Sequence, residues 1–157
     1  MGPDRRYAAR PDRLLPGCPR SGRYRRSGFY LEASADTNGI PRWSVGMRTA
    51  DADAGTTITR AYSPDPVVPG EWTHVAGSYD HTRKLLTLYL DGQFMREVPF
   101  TAAWHAPGPL TIGAAQVGGA PGMFWAGELD DVHVFAGVLA RYEIAAVRAG
   151  IGLPASP

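Results

Sequence analysis

The chain is poor in the residues that staple a fold, bind metal through sulfur or cross a membrane. Cysteine occurs once, at Cys18, so neither an internal disulfide nor a thiolate metal cluster can form, and cysteine usage says nothing of the redox compartment. Lysine also occurs once, at Lys84, so the glycine-rich run 118–122 lacks the Gly-Lys-Ser/Thr ending of a phosphate-binding loop and reads as a connection. No apolar run approaches the ~18 residues of a spanning helix, and the first residues lack the apolar stretch of a secretory signal peptide. His74, His81, His105 and His133 show no paired zinc spacing. Ser44 and Ser78 have Arg42 and Ala76 where a nucleophile elbow needs its first glycine.

What the chain has in plenty is turn chemistry. Nineteen glycines and fourteen prolines in 157 residues suit many short strands better than long helices. The net charge of +1 hides a division: residues 1–27 hold eight arginines against Asp4 and Asp12, a local charge of +6, which leaves −5 on residues 28–157. Three readings of this Arg/Pro-rich arm compete: a tether for nucleic acid or an anionic surface, a disordered tail with little apolar surface to bury, or non-native sequence from a misplaced start joined to a true domain. The third is the expectation here, and with it no nucleic-acid partner.

From Phe29 the pattern turns to strands. Phe29, Leu31 and Ala33 alternate with Tyr30, Glu32 and Ser34 up to the turn Asp36-Thr37-Asn38-Gly39, and residues 40–48 set Trp43, Val45 and Met47 on an inward face. Residues 56–62 and 72–80 read as further strands, Trp72 facing inward. Leu86, Leu88 and Leu90 share a face of the next, which Asp91-Gly92 turns back into residues 93–100. Residues 109–114 are expected to form a short strand, 123–135 a long final one, and 138–149 a closing helix with Leu139, Tyr142 and Val147 as apolar contacts and Gly150 as its stop. The last residues, 151–157, read as linker. About eight antiparallel strands at short spacing imply an all-β sandwich or jelly roll.

Three stretches carry a resemblance: Gly70-Glu71-Trp72-Thr73-His74-Val75-Ala76-Gly77-Ser78-Tyr79-Asp80, Leu86-Thr87-Leu88-Tyr89-Leu90-Asp91-Gly92, and Gly127-Glu128-Leu129-Asp130-Asp131-Val132-His133-Val134-Phe135 with the helix after it. In this order and spacing they resemble the laminin-G-like jelly-roll modules of the concanavalin A-like lectin/glucanase superfamily, over roughly residues 28–150. The resemblance implies an antiparallel jelly-roll β-sandwich with a short C-terminal helix, short of one or two N-terminal strands because arginines and prolines stand where those strands belong. It also implies an extracellular setting within a larger secreted protein, and glycan or cell-surface protein partners.

Glu128-Leu129-Asp130 is similar to the opening of the catalytic strand of laminarinase-type glucanases, where i and i+2 put two carboxylates on one face. Positions 131–133 are Asp, Val and His, so the third acid is missing, and the expectation is a chain that is not an enzyme. By resemblance, Asp130 and Asp131 are candidates for a structural calcium site, against the plainer reading of a hydrogen-bonded surface pair. Sugar rings stack on indoles. Trp104, in a Pro/Ala-rich connection, and Trp125, after the glycine loop, are therefore the candidate ligand contacts, against the plainer reading of core aromatics. A non-catalytic module for carbohydrate or glycoconjugate is the first expectation, a protein-interaction or spacer domain the alternative, and a β-glucanase-like glycosidase a distant third.

Overall fold

β-Branched and aromatic side chains alternate with polar ones through much of the chain, and the backbone follows them into strands. The computed structural model describes residues 24–151 and Leu153. Residues 1–23, Cys18 among them, and the tail from residue 154 lie outside the described residues, so most of the arm and the linker are not reached. In chain order come β1 (Phe29–Ala35), β2 (Pro41–Arg48), β3 (Ile58–Pro66), β4 (Val75–Asp80), β5 (Leu85–Leu90), β6 (Gln93–Pro99), β7 (Ala115–Val117), β8 (Ala120–Gly122) and α1 (Arg141–Arg148).

The strands form two three-stranded antiparallel sheets, β1-β2-β3 and β4-β5-β6, and a ribbon, β7-β8. The sheets face each other across a core of Val45 and Ala61 from one, Leu86 and Leu88 from the other, and Phe100, with Met47, Val75, Tyr79, Leu90, Met95 and Val98 packed around it. Val45, Ala61, Leu86 and Leu88 are fully enclosed; burying each valine or leucine contributes about 1.5–3 kcal/mol. The fold is an antiparallel β-sandwich of jelly-roll type with a short C-terminal helix.

Turn chemistry sets the register. Asp91 and Gly92 take φ of 49° and 76°, the doubly left-handed turn that matches strand twist, and place Leu90 opposite Gln93. Between β1 and β2, Asp36 Oδ1 accepts the N–H groups of Asn38 and Ile40 at 2.8 and 3.0 Å. Residues 24–27, the last of the expected arm, lie against the body: Arg26 bridges to Val117, Ser27 N–H donates to the Gln116 carbonyl at 3.3 Å, and the Arg25 and Arg26 amides both donate to Asp51 Oδ1 at 2.7 Å.

Several local expectations need correction. Residues 123–135 form no strand: Met123 and Asp131 adopt φ of 51° and 50°, and a left-handed residue at each point breaks the extended run that a ladder requires. Residues 109–114 form no strand either. The short strand lies one step later, because Gly118 and Gly119, with φ of 60° and 84°, turn β7 directly into β8. Trp72 precedes β4 and is 68% exposed instead of inward. The helix starts at Arg141, where Glu143 Oε2 reaches back to accept the Ala140 N–H at 2.6 Å. Its buried residue is Ile144, while Tyr142 is 75% exposed. Gly150 does end it, at φ 70°.

The sheets lie close together at Gly77, where a Cβ would stand 2.5 Å from Val45 Cγ2 and 3.3 Å from Leu31 Cδ1. Gly77→Ala is expected to lower stability in urea unfolding by about 1–3 kcal/mol through overpacking. Val45→Ala opens the same space, so the double variant should be more stable than the sum of the single costs by at least about 0.5 kcal/mol. Strictly additive costs would contradict this contact.

Candidate functional site

Trp43 lies on the inward face of β2, in register with Ala33 of β1. Trp125 arrives from the segment after β8, held by its backbone N–H donating to the Gly113 carbonyl at 2.9 Å. The two indoles stack with centroids 5.8 Å apart and planes at 27°. Both are half-buried, and Trp125 Nε1 is buried with no hydrogen-bond partner among the described residues. Gly127 makes this packing possible, since a Cβ there would come within 2.8 Å of that nitrogen. An unpaired buried N–H is costly, so the indole is held in this position by its packing on Trp43 and Gly127 and not by a hydrogen bond.

Trp104 sits elsewhere. Its indole N–H donates to the Arg48 carbonyl at 2.8 Å, at the far end of β2 from Trp43, and its ring packs beside Gly28. The two tryptophans singled out from the sequence are therefore not brought together. Trp125 instead meets Trp43, which alternation had assigned to the core; no local signal in the sequence links positions 43 and 125.

Asp130 and Asp131 lie on exposed backbone. Asp130 Oδ1 accepts the Asp131 N–H at 2.8 Å, and Asp131 Oδ1 pairs with His133 Nε2 at 2.9 Å. Calcium takes about six to eight oxygens, whereas these carboxylates are partly spent on their own neighbours, and among the described residues no three His, Cys, Asp or Glu side chains gather at one point. So placed, the pair does not fit a calcium site. Glu128 is likewise exposed and off any strand, so the shared strand face that would have aligned it with Asp130 is not formed.

Near this segment α1 docks on the β5–β6 turn. Arg148 Nε pairs with Asp91 Oδ1 at 3.3 Å, Arg141 lies 4.4 Å over the Phe94 ring, and a Cβ on Gly92 would meet Ala145 Cα at 3.1 Å. His74 lies beside the turn, its N–H 3.4 Å from Asp91 Oδ1 and its Nδ1 buried with no partner among the described residues. Burial holds the imidazole below the ordinary histidine value, against the pull of the Asp91 carboxylate.

Beside the middle of β6 a cleft of about 310 Å³ opens between that strand and sheet β1-β2-β3, lined by Asp36, Thr37, Arg42, Tyr62, Ser63, Pro64 and Arg96. Arg42 Nε pairs with Asp36 Oδ2 at 2.7 Å, and its Nη1 donates to the carbonyls of Ser63 and Pro64. The Arg42 guanidinium, with the Ile40 and Asn38 amides, holds the Asp36 carboxyl below the usual carboxylate value. Nothing in the sequence pattern pointed to this cleft.

A family model described as the concanavalin A-like lectin/glucanases superfamily matches residues 17–145. The chain belongs to that superfamily. The match takes in residues 17–27, which composition assigned to the arm. No curated protein matches the chain. A solved structure similar to this superfamily member is that of an S-layer domain-containing protein from Clostridium thermocellum, 15% identical, covering 90% of this chain and 71% of that one at a TM-score of 0.43. No helix among the described residues is long and apolar enough to cross a membrane.

Two outcomes follow for this superfamily member. Because folded His74 takes up its proton at lower pH than the unfolded value of 6.5, its contribution to stability is complete above that value and is lost as pH falls through the folded one. The urea midpoint should drop between about pH 7.5 and about pH 5.5, and drop less in His74→Gln. Melting in excess calcium and in chelator should coincide; a rise with calcium would mean that donors beyond Asp130 and Asp131 complete a site.

Proposed function

We propose that residues 28–150 are a non-catalytic recognition module for carbohydrate or glycoconjugate, working outside the cell as part of a larger protein. The observation that carries this reading is the Trp43–Trp125 stack, two half-buried indoles side by side. Aromatic faces accept the apolar face of a sugar ring. Membership of a superfamily described by lectins and glucanases supports it, though fold does not dictate function. Of the two tryptophans proposed as ligand contacts, Trp125 is the stronger, since the N–H of Trp104 is spent on Arg48. The non-enzymatic part rests on the missing third acid after Glu128-Leu129-Asp130 and on the exposed, non-strand setting of those carboxylates.

A protein-interaction role is the second reading, favoured by one observation. Leu129, Val132, Val134 and Phe135 are all exposed along the segment before α1, and such apolar surface marks interaction sites.

On a glycan array the chain should bind a defined set of saccharides. Trp125→Ala should weaken that binding about tenfold or more, while Trp125→Phe, which keeps a ring but removes the N–H, should fall between. Unchanged binding by both variants would remove Trp125 from the site. Array silence with capture of one protein partner would favour the second reading.

A further inference from the structure

The cleft beside β6 differs in chemistry from the tryptophan pair. Its walls are fixed from within. Arg42 is clamped by Asp36 and two backbone carbonyls, Tyr62 Oη donates to the Ala35 carbonyl at 3.2 Å, and the enclosed Ser63 hydroxyl donates to the Asp65 carbonyl at 2.6 Å. Arg96 is the exception: it projects from β6, is exposed, and makes no ion pair among the described residues. With Asp36 held ionised and neutralising Arg42, the lining carries one uncompensated positive charge, at Arg96.

Electrostatics and shape then define the guest. A guanidinium presents a planar fork that fits a carboxylate with two parallel hydrogen bonds. Tyr62 and Pro64 supply the apolar surface on which a ring can rest, and the Thr37 hydroxyl a small polar partner. The volume of about 310 Å³ is at the small end of ligand clefts, room for one ring and too little for a long chain segment. We propose that this cleft is a second subsite, taking a monosaccharide unit that bears a carboxylate, with Arg96 as its anion-binding residue. The proposal rests on the carbohydrate reading above and adds the class of sugar.

The experiment compares oligosaccharides containing a hexuronic acid with the same oligosaccharides after the carboxyl has been reduced to a hydroxymethyl, by calorimetry on the full chain. The wild type should bind the acidic member about tenfold more tightly. Arg96→Gln should bring that ratio to about one, Arg96→Lys should keep part of it, and raised salt should shrink it. Trp125→Ala should weaken both members together and leave the ratio alone. Arg96 is exposed, so these variants should melt with the wild type. Equal binding of the two members by the wild type, or a preference that survives Arg96→Gln, overturns the cleft proposal and leaves the carbohydrate reading standing. Binding of neither member overturns both.

Discussion

The fold depends on how closely two small sheets can lie. At Gly77 the backbone of β4 sits directly under Val45, with no room for even one added carbon. That contact lets Val45 and Ala61 reach Leu86 and Leu88 and close the core on both sides. A side chain at position 77 would hold the sheets apart along their length, because interiors packed to crystal-like density do not absorb an extra atom without displacement. Each sheet has three strands, so little other burial is available to offset such a loss.

The remainder of the chain is arranged around this small sandwich. Phe100 still packs in the core and Ala103 lies against it; from Trp104 to the start of α1 the chain runs along the margin of the sandwich. It is anchored at separate points: the Trp104 indole on Arg48, the β7-β8 ribbon on residues 25–27, and the Trp125 ring on Trp43. Between these anchors the apolar side chains of Leu110, Ile112 and Phe124 stay exposed, as do Val132 and Val134 beyond the last of them. An alternating sequence makes a strand only where a neighbouring strand supplies hydrogen bonds, and the left-handed backbone at Met123 and Asp131 is incompatible with such pairing here.

The candidate sites occupy the margins of the same arrangement. One is aromatic, made of two stacked, half-buried indoles. The other is cationic, its charge set by which of two arginines is already paired. Asp36 ties the second to the fold: it caps the β1–β2 turn with one oxygen and binds Arg42 with the other. In that way a turn residue also decides the charge of the cleft.

Much of the sandwich was legible in the sequence. The leucine alternation 86-88-90, the inward Val45, the Asp91-Gly92 turn and the Gly150 stop are local patterns whose physics acts within a few residues, and the structure follows them. The resemblance over residues 28–150 was legible for the same reason, as three short motifs in order. What the sequence could not decide was long-range. It could not show whether residues 123–135 would find a strand partner, that Trp125 would meet Trp43, that Trp104 would spend its N–H on Arg48, or that Arg96 would face Tyr62 and Arg42 across a cleft. Alternation sets which way a side chain points from its own strand. Only the packing of one sheet on another decides what lies opposite it.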